Sequence, residues 1–94
     1  MSEQKSNEAE SVGPTKPVKK FRAGGVVATV WRNDFTTIDG RKGKTYNVVT
    51  TRSYKDKNDN WQETHGFRMN DLPRKQVVDA QAYQWLVLGG EDSE

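Results

Sequence analysis

The chain has 94 residues, 32% of them hydrophobic and 30% charged, with a mean hydropathy of −1.00. That leaves room for one small domain and excludes a large multi-substrate enzyme. The absence of cysteine excludes disulfide frameworks and thiolate metal sites. The formal charge of +2 is unevenly spread: residues 16–57 hold eleven Lys and Arg against Asp34, Asp39 and Asp56, whereas both ends are acidic. A basic block between acidic ends is the footprint of a polyanion-binding surface flanked by solvating tails.

Residues 1–17 are rich in Ser, Glu, Lys and Pro and hold almost no large apolar side chain. The composition predicts a disordered acidic and polar tail, because such a segment cannot bury enough surface to offset its ordering entropy. Neither a basic, apolar leader nor an apolar run long enough to span a bilayer is visible, so the chain reads as cytoplasmic, and as nucleoid-associated if prokaryotic.

Lys20–Ala23 is a short candidate strand ending at Gly24-Gly25. Val26–Arg32 is β-branched and aromatic and reads as a strand, with Val26, Ala28 and Val30 on one face and Val27, Thr29 and Trp31 on the other. Asn33–Lys44, with Asp39-Gly40 and Gly43, reads as a long hairpin loop. A second long strand covers Tyr46–Tyr54, a turn covers Lys55–Asn60, and Trp61–Met69 alternates again. At Asn70 the period changes. Asn70-Asp71 offers side-chain acceptors, Pro73 suits a first helical turn, and Val78, Ala82, Trp85 and Leu86 repeat at helical spacing up to the terminating Gly89. The expectation is an α+β domain over residues 18–88: an antiparallel β-meander of three long strands plus a short N-terminal one, then one C-terminal helix. Residues 89–94 form a second disordered acidic tail. About 70 residues bury only some 60% of their unfolded surface, and one helix leaves the other sheet face open, so a homodimer is expected.

Catalysis finds little support. His65 is the single histidine, and no Ser/His/Asp or Cys/His set can be assembled around it. Asp56, Asn58, Asp59 and Asn60 lack the spacing and distal glutamate of a calcium loop, and the glycines complete no phosphate loop. The reading is therefore a protein that is not an enzyme and has no cofactor, no metal, no membrane partner and no small-molecule substrate. Binding fits better, because the central segments interleave rings with cations, which single-stranded nucleic acid needs for stacking and phosphate tracking. The candidates are Arg32, Arg41, Lys44, Arg52 and Lys55 for phosphate and Trp31, Phe35 and Tyr54 for stacking.

Phe21-Arg22-Ala23-Gly24, Val26–Asn33, a basic glycine loop, Val48–Tyr54 with Arg52-Ser53-Tyr54, a charged turn and Phe67-Arg68-Met69-Asn70 before a helix together resemble the positive cofactor four family of transcriptional coactivators. The likeness extends in theme to the Whirly group of single-strand-binding proteins. The resemblance implies a dimer whose helices pair and whose sheets hold two basic, aromatic-lined channels for single-stranded DNA. On it, Arg52 and Tyr54 match the Arg-x-Tyr strand, Lys44 the Gly-Lys loop and Phe35 the loop aromatic. The loop is longer than the family's, and Lys55 stands where the family has tryptophan, which shifts stacking to Trp31, Tyr46 or Trp61. The expected function is low-specificity binding of single-stranded DNA, with RNA accommodated, in support of transcription, replication or repair. Val78, Ala82, Trp85 and Leu86 are expected to pack the helix on the sheet and to supply the dimer seam. The rival is a protein-interaction or scaffold module that binds a polypeptide on its open sheet face.

Overall fold

The run Val26–Val30 is small or β-branched and its five residues are all buried, which makes it the centre around which the rest is arranged. In a computed structural model, which describes the backbone from Ala9 to Ser93 and side chains from Thr15 to Asp92, four strands surround this centre. They are β1 (Ala9–Ala23), β2 (Val26–Thr37), β3 (Lys42–Lys55) and β4 (Trp61–Thr64), followed by the helix α1 (Leu72–Val87). The strands form one antiparallel sheet in the order β1-β2-β3-β4. This is the α+β meander with a C-terminal helix that the patterning predicts.

The short strand comes last, not first. β1 runs for 15 residues, so Ala9–Pro17, expected as tail, is already sheet, while residues 1–8 lie outside the described part. As an edge strand β1 needs hydrogen bonds on one side only, and its pairing shifts register between Val12 and Thr15 and between Pro17 and Lys19. Edges and bulges are the places where a sheet tolerates proline. Pro14 and Pro17 therefore suggest a tail in the sequence yet are compatible with a strand. The expected long loop is also mostly strand: β2 continues to Thr37 and β3 starts at Lys42, leaving a tight hairpin in which Gly40 takes φ 90° and Thr37 N–H bonds the Arg41 carbonyl at 2.7 Å.

β4 stops at Thr64, short of the expected Met69, because the chain bends at His65-Gly66 and loses its alternation. Phe67 then turns onto the core, while Met69 is 80% exposed. A 3₁₀ turn, Met69–Asp71, leads into α1, with Pro73 in the first turn. The Asp71 carboxylate does not cap α1. It accepts the Arg68 N–H at 3.0 Å and pairs with Arg52 Nε at 3.3 Å, tying the helix entry to β3. At the far end Gly89 takes φ 113° and Gly90 φ 55°, a left-handed reversal that glycine adopts without a Cβ penalty. The expected C-terminal tail continues as a 3₁₀ turn, Gly90–Ser93.

The core consists of Val26, Ala28 and Val30 from β2 against Val78 and Ala82 from α1, all at 0% exposure. Val18, Phe21, Ala23, Tyr46, Phe67, Trp85 and Leu86 close its rim, and Phe21 meets Trp85 edge-on at 6.4 Å between ring centres. The stripe packs on the sheet as expected, but the expected seam is corrected: Val78 and Ala82 at 0% exposure are spent inside the chain's own core, and Trp85 and Leu86 pack beside them.

Candidate nucleic-acid interface

Side chains alternate across a strand, and residues directly opposite on paired strands share a face. Val26, Ala28 and Val30 face α1, so Arg32 and Asp34 further along β2 point to that side too. Their β3 partners are Arg52, Thr50, Val48, Tyr46 and Lys44, which share that face. The helix-free face carries Val27, Thr29, Trp31, Asn33 and Phe35 from β2, with Thr51, Val49, Asn47, Thr45 and Gly43 opposite them. β1 adds Lys20 and Arg22, opposite Thr29 and Val27. The far side of β3 adds Ser53 and Lys55, and β4 adds Glu63 and Trp61 opposite them.

The eight residues predicted to bind nucleic acid therefore fall into three groups. Trp31, Phe35 and Lys55 lie on the helix-free face. Arg32, Lys44, Arg52 and Tyr54 lie on the helix side. Arg41 sits in the β2–β3 hairpin, with Nε 3.1 Å from Asp39. Lys20, Arg22 and Trp61 complete the helix-free face; Trp61 was expected as an alternative stacking ring, whereas Lys20 and Arg22 were not among the predicted site residues. The signal for them is register: Lys20 and Arg22 flank the apolar Phe21, so an inward Phe21 sends both cations to the opposite face.

The helix-side cations are already engaged. Arg32 Nη1 lies 3.1 and 3.2 Å from the Glu91 carboxylate oxygens, and its Nε is 3.0 Å from Asp34. Arg52 pairs with Asp71, with both side chains less than a fifth exposed, and its Nε donates to the Gly66 carbonyl at 3.3 Å; its guanidinium stacks 5.5 Å over the Tyr54 ring. Lys44 lies 3.7 Å from Asp92. The charge of Asp92 raises the Lys44 pKa above its ordinary value, with help from the Tyr46 hydroxyl.

On the helix-free face the balance is different. Among the described residues no carboxylate pairs with Lys20 or Arg22, Lys55 lies 3.5 Å from Asp59 of the following turn, and Glu63 is the acid that the register puts on this face. Val27 and Thr29 are only 5% and 9% exposed although no helix covers them, so the taller side chains opposite them form walls. The face is a shallow trough floored by β2. One end opens into a cleft of about 550 Å³ lined by Arg22, Ser53, Trp61, Gln62 and Glu63. Trp61 there is 67% exposed, with the Lys55 ammonium 5.5 Å from its ring centre. Toward the other end the Phe35 ring lies flat against Gly43, where a Cβ would come within 2.5 Å of it. From Val27 to Phe35 the trough follows roughly 26 Å of strand, long enough for several nucleotides.

Comparison with known protein families, with curated proteins and with solved structures finds no match to this chain.

Proposed function

We propose that the protein binds single-stranded nucleic acid, DNA with RNA accommodated, along the helix-free face of its sheet and with low sequence specificity. The observation that carries this reading is the sorting of residues by face: Trp31, Phe35 and Trp61 share one surface with Lys55 and with Lys20 and Arg22, which no carboxylate holds among the described residues, while most helix-side cations are held by acids. Rings stack on unpaired bases without regard to sequence, and cations follow the phosphates. Thr29, Asn33, Thr45, Asn47 and Thr51 supply small donors and acceptors between them. The order of elements, a four-strand meander and then a helix, is also the order implied by the resemblance to the positive cofactor four family. The role is support of transcription, replication or repair without a reaction of its own.

A second copy belongs to this reading. With the Val78 stripe turned inward, the outward stripe of α1 is Pro73, Val77, Ala80, Gln84 and Val87, spaced alternately by four and three residues, the seam pattern of paired helices. Val77 and Val87 are 52% and 59% exposed, and Tyr83 and Leu88 beside them 68% and 73%. No charged side chain interrupts that stripe: Asp79 lies toward the core, bonded by Thr50 and Lys75. A two-fold contact brings a surface against itself, and an uncharged apolar surface meets its own copy without repulsion.

Fluorescence polarisation with labelled single-stranded and duplex oligonucleotides at two salt concentrations tests the function. Preference for the single strand, weakening with salt, is expected. Trp61→Ala should weaken it roughly 5- to 150-fold, the equivalent of one stacked base at about 1–3 kcal/mol. No binding at micromolar protein in low salt would overturn the reading and favour a polypeptide ligand for the same trough.

A further inference from the structure

The last turn of the chain lies on the sheet. After the glycine reversal, Gly90 is buried beside the Trp85 indole, 3.6 Å from where its Cβ would stand. This brings two acids over the helix-side surface beyond the end of α1. Glu91 receives two contacts from the Arg32 guanidinium, at 3.1 and 3.2 Å, and the Tyr46 hydroxyl donates to it at 2.9 Å. Asp92 lies 3.7 Å from Lys44 Nζ. Arg32 sits opposite Tyr46 on β2 and β3, and Lys44 is the next residue on the same face. A guanidinium and a hydroxyl donor thus converge on the Glu91 carboxylate, Lys44 faces the adjacent Asp92, and the sheet, not the C-terminal turn, holds all three donors. A guanidinium with convergent donors accepts a phosphate as readily as a carboxylate.

We propose that Arg32, Tyr46 and Lys44 form an anion site for a backbone phosphate of the single strand, and that the Glu91-Asp92 turn is its built-in competitor. The proposal rests on the reading of the protein as a single-strand binder and adds a second contact region and a regulation to it. The strand would leave the trough, cross the end of the sheet uncovered by α1 and displace the turn. Because the acids are tethered by a few residues, their effective concentration is high, of millimolar order. They therefore set a threshold that short or weakly held strands fail to pass.

The test compares the wild type with Glu91→Gln/Asp92→Asn in oligothymidylate binding at low salt. The variant should bind roughly 3- to 10-fold more tightly, and its log–log salt slope should steepen by about 0.7 for each phosphate gained. In an Arg32→Gln/Lys44→Gln background that gain should vanish. A gain that persists there is general charge removal and overturns the proposal, as does equal affinity of the first two proteins. Because Arg32→Gln can also disturb folding, NMR of the wild type supplies an independent readout: the Glu91 and Asp92 amides and the Arg32 Nε–H should shift together as oligothymidylate is added. Tail signals that stay fixed at saturation overturn the competitor. If no oligonucleotide binds wild type or variant, the functional reading falls, and this proposal with it.

Discussion

At the residue scale, one residue type has different jobs according to what faces it. Arg52 bridges β3 to the helix entry through Asp71 and the Gly66 carbonyl. Arg52→Ala is expected to destabilise the fold by about 1–2 kcal/mol, as for the loss of a largely buried charge-assisted contact, and to change affinity less than twofold. Thermal denaturation and polarisation, measured on the same sample, check both. Arg22 shows the reverse: it faces the trough, and Arg22→Ala should weaken binding with little loss of stability. Glu91 makes a pH prediction. The Tyr46 hydroxyl and then Arg32, working against desolvation, hold its carboxyl below the ordinary carboxylate range. Among its neighbours, Arg32 and Lys44 are cationic, Asp34 and Asp92 are acids, and the Tyr46 pKa is raised by desolvation and then by Glu91 itself. A depressed pKa contributes stability above the unfolded value that is lost as pH falls through the folded one. Chemical denaturation should therefore show stability falling below the ordinary carboxylate range, and Glu91→Gln should flatten part of that fall.

At the element scale, α1 has two apolar stripes with opposite duties. The inward one, Val78 and Ala82 with Trp85 and Leu86, roofs β2; the outward one runs through Val77 and Val87. Val77→Glu/Val87→Glu places like charges on both sides of the proposed two-fold seam and is expected to give a monomer in light scattering where the wild type gives a dimer, while helix content by circular dichroism is kept. An unchanged mass would show that the outward stripe is not the seam. The existence and order of the elements were legible in the sequence, since β-branched runs, Asp39-Gly40 and the Asn70–Pro73 helix entry each have a local cause. Their lengths were not. β1 extends through two prolines because an edge strand spares one row of donors. β4 ends early because Gly66 releases the chain before Phe67 reaches the core.

At the scale of the whole molecule, the radius of gyration is 16.4 Å and the extents are 49 × 33 × 20 Å, against about 12 Å for a compact chain of this length. The reason is a mismatch of lengths. A 16-residue helix spans about 24 Å, while β2 and β3 run for about 40 Å and more, so the sheet projects beyond its helical roof toward the hairpin, where the Glu91-Asp92 turn covers part of the helix side. A surface of this kind with three trough cations should give a log–log salt slope near −2 for single strands, at about −0.7 per phosphate. Polarisation titrations over a salt series measure it, and Arg22→Ala should make it shallower by about 0.7.

The sequence by itself determined the α+β class, the order of strands and helix, the stripe that closes the core, and the mixing of rings and cations in the central segments. These follow from local period and turn chemistry, which each segment carries within itself. Only the tertiary structure decided which cations share a face with which rings, because that depends on the register between strands, and a slip of one residue would exchange the faces. It also decided that Val78 and Ala82 are buried completely, which leaves neither for a second chain. And it brought Glu91 and Asp92 onto Arg32, Tyr46 and Lys44, partners more than 40 residues away in sequence, through a glycine reversal whose direction no local pattern encodes.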